Sequence, residues 1–471
     1  MVCDNLHGTL AMVFYEINTG TWLHSLQERY GREVTLGDVP GPEWDRLGAL
    51  GVDAIWLMGV WERSPQGVRI ASELAELRQF PPADITGSPY CIRDYSVDAR
   101  FGGNGGLAAA RFELARRGLR LILDFVPNHV ARDHDWVAEH PEFFIAGVPS
   151  ECCFEAGGHL IACARDPYFP AWTDVAQLNA YSPGMRAAAL ATLDDIAGRC
   201  DGVRCDMAML MLSEVFARTW GLRSGPQPAT EYWSDLIPPL KERYRGFLFL
   251  AEAYWDKEYD LQQLGFDFCY DKRLYDRMRN EDAGAIRAHL GASLEYQQRL
   301  LRFIENHDEP RAAAVFGDGK SRAAAACVVL IPGGTLIHEG QMSGARVKLP
   351  VQIGRRPAET ADADLERFYR QLFSIAQREA RRSGEWDLAE SSPPLLAWCW
   401  RSAAERLLVV LNWSEDRCQG RVRFHGAPFA GRIWQWTDLL TGAVFPRDGA
   451  EMDAAGLFVD LPAWGIHIWT G

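Results

Sequence analysis

Short, nearly uninterrupted apolar runs alternate with segments of helical period from the N-terminus to about residue 384. The runs are 11–17 (AMVFYEI), 53–58 (DAIWLM), 120–126 (RLILDFV), 200–206 (CDGVRCD), 247–251 (FLFLA), 266–268 (FDF), 301–305 (LRFIE) and 335–338 (TLIH). Parallel strands covered on both faces need this near-continuous apolar character, and eight of them close a (β/α)8 barrel. Between them, 105–118 (GGLAAARFELARRG) ends in arginines with Gly118 to cap it, and Leu365, Phe368, Leu372 and Ile375 recur at helical spacing through 364–383. Residues 130–180 break the alternation. They are rich in Pro, Gly, Asp and aromatics without a clear period, and predict a long insertion between the third strand and its helix; loops of that length are usually functional.

Beyond residue 385 the pattern changes to short alternating strands: 395–400, 406–413, 421–425, 432–438, 456–461 and 466–469. No helical segment of comparable strength is apparent there, which predicts a separate antiparallel β-sandwich. The expected organisation is α/β: a (β/α)8 TIM barrel over 1–129 and 181–384, an inserted loop domain over 130–180, and a C-terminal antiparallel β-sandwich over 385–471. Trp398/Trp400 and Trp434/Trp436 are spaced by two, as same-face strand residues are, so both pairs are expected in the sandwich core.

Composition narrows the partners. With 63 Asp+Glu against 49 Lys+Arg the net charge is −14, which disfavours a nucleic-acid backbone or an anionic membrane surface and suits a neutral substrate. The start, MVCDNLHGTLAMVFYEIN, has no basic segment ahead of an apolar run, and no stretch of about 18 apolar residues follows. The eleven cysteines include no CxxC pair, and Cys205 and Cys327 lie in apolar runs, so neither a disulfide framework nor a zinc site is indicated. A cytoplasmic chain is the expectation.

Barrel enzymes hold their chemistry at the C-terminal ends of the strands. Here those ends read Asp124-Phe125-Val126-Pro127-Asn128-His129, Arg204-Cys205-Asp206, Glu252-Ala253-Tyr254-Trp255 and Glu305-Asn306-His307-Asp308. A single carboxylate in such a place is ordinarily a helix N-cap. Asp206, Glu252 and Asp308 together, on three strand ends, suit glycoside hydrolysis with retention, in which one carboxylate attacks the anomeric carbon and another protonates the leaving oxygen. The nucleophile must stay ionised, which Arg204 two residues before Asp206 favours. The acid must keep its proton, which the apolar surroundings of Glu252 favour.

With these residues in place the chain resembles the α-amylase family of glycoside hydrolases, family thirteen. DFVPNH (124–129), GVRCDMA (202–208), EAYW (252–255) and FIENHD (303–308) are similar to its four conserved regions in order. GVDAIWLMGVW (51–61), DVAQLN (174–179) and Gly340-Gln341 are similar to its accessory regions. The resemblance implies Asp206 as nucleophile, Glu252 as general acid/base and Asp308 as the carboxylate that grips sugar hydroxyls. It further implies that Arg204 orients the nucleophile with Asp124 as its salt-bridge partner, that His129 and His307 hydrogen-bond the sugar, and that Tyr90 stacks on it. Trp255 is the second aromatic assigned to substrate. Tyr15 to Asn18 have no assigned chemistry.

The chain also departs from the family. Ser88 stands where many members have a histidine, and Met209 and Leu210 stand where many have Lys-His, which removes a polar acceptor contact and a support for calcium. No cofactor is required by the reading; a structural calcium at Asn128 with Asp166 or Asp174 is left open, short of the six or more oxygens such sites need. The favoured activity is hydrolysis of α-1,4-linked glucans or maltooligosaccharides. Transfer or isomerisation of an α-glucoside by the same carboxylates is the alternative. A non-catalytic binding subunit is disfavoured by the three retained carboxylates, and a metal hydrolase built on His129, His134 and His140 by the lack of a ligand pattern. Oligomeric state is not indicated.

Overall fold

The computed structural model describes residues 11–425 and 428–471. The N-terminal segment read for a leader therefore lies largely outside the described residues. Eight parallel strands close a barrel: β1 (Val13–Asn18), β2 (Ala54–Met58), β3 (Arg120–Phe125), β4 (Gly202–Cys205), β5 (Leu248–Ala251), β6 (Phe268–Tyr270), β7 (Leu300–Arg302) and β8 (Gly334–His338). Each pairs with its neighbour in sequence, and β1 closes the ring on β8 with Val13 opposite Thr335. All eight match the apolar runs to within a few residues. Every residue of β2, β5 and β8 is buried, because helices cover the outer face and side chains fill the interior.

The helix expected over 105–118 runs from Gly103 to Ala115, and Gly118, at φ +74°, takes the left-handed turn beyond its end that a side chain would resist. The segment expected as one helix over 364–383 is two, Ala363–Ala376 and Glu379–Ser383. Asp362 caps the first by accepting from the N–H groups of Asp364 and Leu365, and Leu365, Phe368, Leu372 and Ile375 are buried as the spacing required.

The insertion after β3 is more regular than its sequence suggested. Strands His129–Ala131, Trp172–Gln177, His159–Ala164 and Cys153–Ala156 form an antiparallel sheet in that spatial order. Its strands are too short and its Pro, Gly and Asp turns too frequent for a period-two pattern to stand out. Cys152 and Cys163 are joined as a disulfide, a pair that the sequence, read as indicating no disulfide framework, did not reveal: antiparallel register, rather than any sequence spacing, brings them together.

After Ser383 a six-stranded antiparallel sheet and a three-stranded one face each other. Strands Glu385–Leu388, Glu390–Ser391 and Val444–Asp448 were not anticipated, nor was the helix Gly449–Ala455, whose seven residues are too few to give a periodic signal. Trp434 and Trp436 lie stacked in the core between the sheets, as expected. Trp398 and Trp400 do not. They turn to the other face of their strand and pack on the barrel, both indoles donating to the Leu330 carbonyl at 3.0 and 2.6 Å. Period two places side chains on a common face but does not say which face is the interior. Among the described residues no helix is long and apolar enough to cross a membrane.

Candidate active site

Arg204 organises the mouth of the barrel. Its guanidinium is fully buried; one terminal nitrogen lies 2.6 Å from Asp206 Oδ1, and the other lies 2.8 Å from Glu252 Oε2 and 3.9 Å from Asp308 Oδ2. The rings of Trp56, Tyr90 and Tyr270 surround it at 5.3, 5.2 and 5.7 Å. The three strand-end carboxylates anticipated from sequence thus converge on one cation. Asp124 is not its partner. Although the two residues stand opposite each other in register on β3 and β4, that carboxylate accepts from Trp56 Nε1 at 3.0 Å and the Gly59 N–H at 2.7 Å, while Arg204 reaches the three acids. Gly59, at φ +76°, leaves space that a Cβ would close 2.6 Å from Pro89. Burial pushes the Asp124 carboxyl up to about 6 against the pull of Arg204.

Glu252 is the most perturbed of the three acids. Its Oε2 also accepts from the Met207 N–H at 2.6 Å, and Tyr254 donates to Oε1 at 2.8 Å. Met207 makes that contact from the left-handed region, at φ +43°. Burial raises the Glu252 pKa to about 7; Asp206 and Asp308 add to the rise while Arg204 opposes it. Asp308 behaves oppositely. Partial burial resists its ionisation, but His307 at 2.9 Å and then Arg204 hold it well below the usual carboxylate range. The barrel mouth thus brings together one carboxyl, Glu252, raised to about 7 and another, Asp308, held charged.

His307 is held from three sides: Nδ1 faces Glu16 Oε1 at 2.5 Å, and Nε2 faces Tyr90 Oη at 2.8 Å and Asp308. Burial disfavours its charge, yet Asp308 and Glu16 raise its pKa to about 10. Tyr90 leans over both His307 and Arg204, and the residue two before it, Ser88, spends its hydroxyl on the Tyr90 N–H rather than on the cleft. His129 lies at the start of the insertion's first strand, against Trp172, with burial lowering its pKa. Trp255, at φ +61°, stands on the rim against Tyr168 from the insertion, ring centres 4.8 Å apart. Met209 and Leu210 are buried in the turn after Asp206 and present no polar group.

Sequence reasoning missed Glu16, Trp56, Tyr254 and Tyr270. Glu16 carried a readable signal, the one carboxylate inside the apolar run AMVFYEI, and its partner lies 291 residues away. A cavity of about 400 Å³ opens on the side of His307, lined by Asn306, His307 and Lys348 together with Tyr15, Trp22 and Arg356 but by none of the three carboxylates.

Comparison with known proteins adds the family. The sequence model of the α-amylase catalytic domain matches residues 30–145. The α-amylase MalA of Haloarcula japonica is 26% identical over 427 residues, 86% of this chain and 55% of the relative, so the chain spans about half that protein's length. The chain is thus similar to the α-amylases. Solved structures agree on the fold. An α-amylase from Lactobacillus plantarum superposes with a TM-score of 0.73 at 18% identity, covering 99% of this chain and all of the other. An α-amylase from Geobacillus thermoleovorans, solved in complex with acarbose, gives 0.71 at 18%, covering 98% of each.

Proposed function

We propose that this chain is a retaining glycoside hydrolase acting on α-1,4-linked glucans or maltooligosaccharides. The observation that carries the reading is the single buried guanidinium of Arg204 touching both Asp206 and Glu252. A shared cation favours the close carboxylate pair of retention, about 5–5.5 Å, over the wider pair of inversion, about 6.5–9.5 Å.

In this reading Asp206, 2.6 Å from the Arg204 guanidinium, attacks the anomeric carbon while Glu252 gives its proton to the leaving oxygen. A glycosyl ester on Asp206 results, and Glu252, now anionic, takes a proton from water as it attacks and restores both groups. The imidazolium of His307 and the carboxylate of Asp308 offer a donor and an acceptor for sugar hydroxyls, with Tyr90 as the ring's platform. Trp255, three residues beyond the acid, stands on the leaving-group side.

The reading calls for no cofactor. Against a calcium at Asn128 with Asp166, Asn128 Oδ1 already accepts from Gln177 at 2.9 Å, and Asp166 Oδ1 from the N–H groups of Tyr168 and Phe169. Among the described residues no three His, Cys, Asp or Glu side chains are grouped to hold a metal. For location we keep the cytoplasm as the proposal, with fractionation as its check; the Cys152–Cys163 bridge, of a kind that oxidising compartments preserve, speaks against it.

The buried apolar pair Met209 and Leu210 gives transfer a foothold as the second reading, because it leaves the acceptor side without its polar contact. Product analysis on maltoheptaose separates the two. Hydrolysis gives only shorter chains; products longer than the substrate contradict it.

A further inference from the structure

We propose that the groove between the barrel and the tail, walled by Trp464 and Trp413 on one side and by Asn280, Glu281 and Asp282 on the other, is a second binding site for a neutral α-glucan chain. None of these residues belongs to the catalytic site. The choice of ligand rests on the carbohydrate reading above; the existence of the site does not.

Trp464 occupies the tight turn Pro462–Gly465, closed by the Gly465 N–H on the Pro462 carbonyl at 2.9 Å. Its φ of +53° lies in the left-handed region, which bulky L-residues resist and which a glycine or asparagine would take at little cost. A bulky indole held there against its own preference points from an outlier toward a use. The turn is fixed from below by the Trp464 N–H on the Ser414 carbonyl at 3.0 Å, one residue past Trp413. The two indoles meet edge to face, centres 5.5 Å apart at 88°. Trp413 is buried, and Trp464 stays half-buried.

The barrel is shaped to receive this ring. Trp464 lies across Gly319, where a Cβ would come within 3.0 Å of its Cδ1. Lys320 Nζ stands 5.4 Å from its centre and donates to the Arg279 carbonyl at 3.1 Å. Facing it, Asn280, Glu281 and Asp282 are exposed at the bend between helices Lys272–Asn280 and Ala283–Leu290. The groove is shallow and open to solvent, with about 660 Å³ of space over these residues.

An aromatic face opposite an amide and two carboxylates is the complement of a pyranose, whose C–H face is apolar and whose edge carries hydroxyls. Glu281 and Asp282 outnumber Lys320, the one cation lining the groove, and on a chain of net charge −14 this disfavours an anionic ligand.

The test uses the full chain carrying Asp206→Asn, titrated with maltoheptaose by calorimetry. Two classes of site are expected. Adding Trp464→Ala removes one class or weakens it about tenfold. Adding Asn280→Ala with Glu281→Ala, which leaves the indoles and the barrel contact in place, weakens the same class. A single class of site, unchanged by either set, overturns the proposal and leaves Trp464 as packing between barrel and tail. The catalytic reading is scored separately, by sugar release from the protein with Asp206 intact. Absence of turnover with a Trp464-dependent class of binding sinks that reading and keeps this site.

Discussion

His307 Nδ1 stands 2.5 Å from Glu16 Oε1, and the same ring reaches Asp308 with its other nitrogen at 2.9 Å. Two carboxylates therefore share one imidazole, which is why its pKa rises to about 10 despite burial. A histidine whose folded pKa exceeds its unfolded value of about 6.5 adds stability that is complete below that pH and is lost as the pH climbs toward about 10. Glu16→Gln removes one of the two anions. The His307 ring protons, followed by NMR, are expected to titrate at distinctly lower pH in the variant, with its alkaline loss of stability shifted the same way. Identical titration in both proteins would contradict the pairing.

In the proposed reaction Glu252 supplies the basic limb of activity. With its pKa at about 7, kcat/KM is expected to fall above about pH 7 as the acid loses its proton. Glu252→Gln is expected to cost about 10²–10⁴ in rate on maltooligosaccharides, and much less on a glucosyl fluoride, whose leaving group needs no proton. Equal losses on both substrates would place the acid elsewhere.

Arg204→Met leaves Asp206, Glu252 and Asp308 without the cation they share. Breaking a buried ion pair in this way costs about 3–5 kcal/mol, read by urea denaturation. Because Arg204 is the main force lowering the Glu252 pKa, the surviving activity is expected to lose its basic limb at higher pH than wild type. Arg204→Lys restores charge without the two-nitrogen fork and is expected to recover only part of the stability. A variant as stable as wild type would show that the three contacts count for little.

The barrel was legible because covered parallel strands leave so plain a mark: AIWLM and LFLA have no polar residue to confuse the period. The site was legible where its residues sit on strand ends in ordered motifs, as Asp206, Glu252 and Asp308 do. Partnership was not. Asp124 binds Trp56 and Gly59 rather than Arg204, and Glu16 meets His307 across the closed barrel, because side-chain direction and ring closure are three-dimensional facts that spacing along one strand does not encode. The same limit explains Trp398 and Trp400.

Those two tryptophans give a contrast that stability measurements can read. Trp398→Ala opens a cavity where tail and barrel meet and is expected to cost about 3–5 kcal/mol while lowering the barrel's own unfolding midpoint. Trp434→Ala lies inside the tail core and is expected to loosen the tail with the barrel's midpoint nearly unchanged. Equal effects on the barrel would contradict the placement.

The central claim is that Asp206 forms a covalent bond to the sugar. Incubation with a 5-fluoro-α-glucosyl fluoride, which slows release of the glycosyl-enzyme, followed by proteolysis and mass spectrometry of the labelled peptide, tests it directly. The account predicts one fluoroglucosyl adduct per chain on the peptide holding Arg204-Cys205-Asp206, absent from Asp206→Asn. A label on Glu252 or Asp308, or continued turnover of maltooligosaccharides by Asp206→Asn at the wild-type rate, would contradict it.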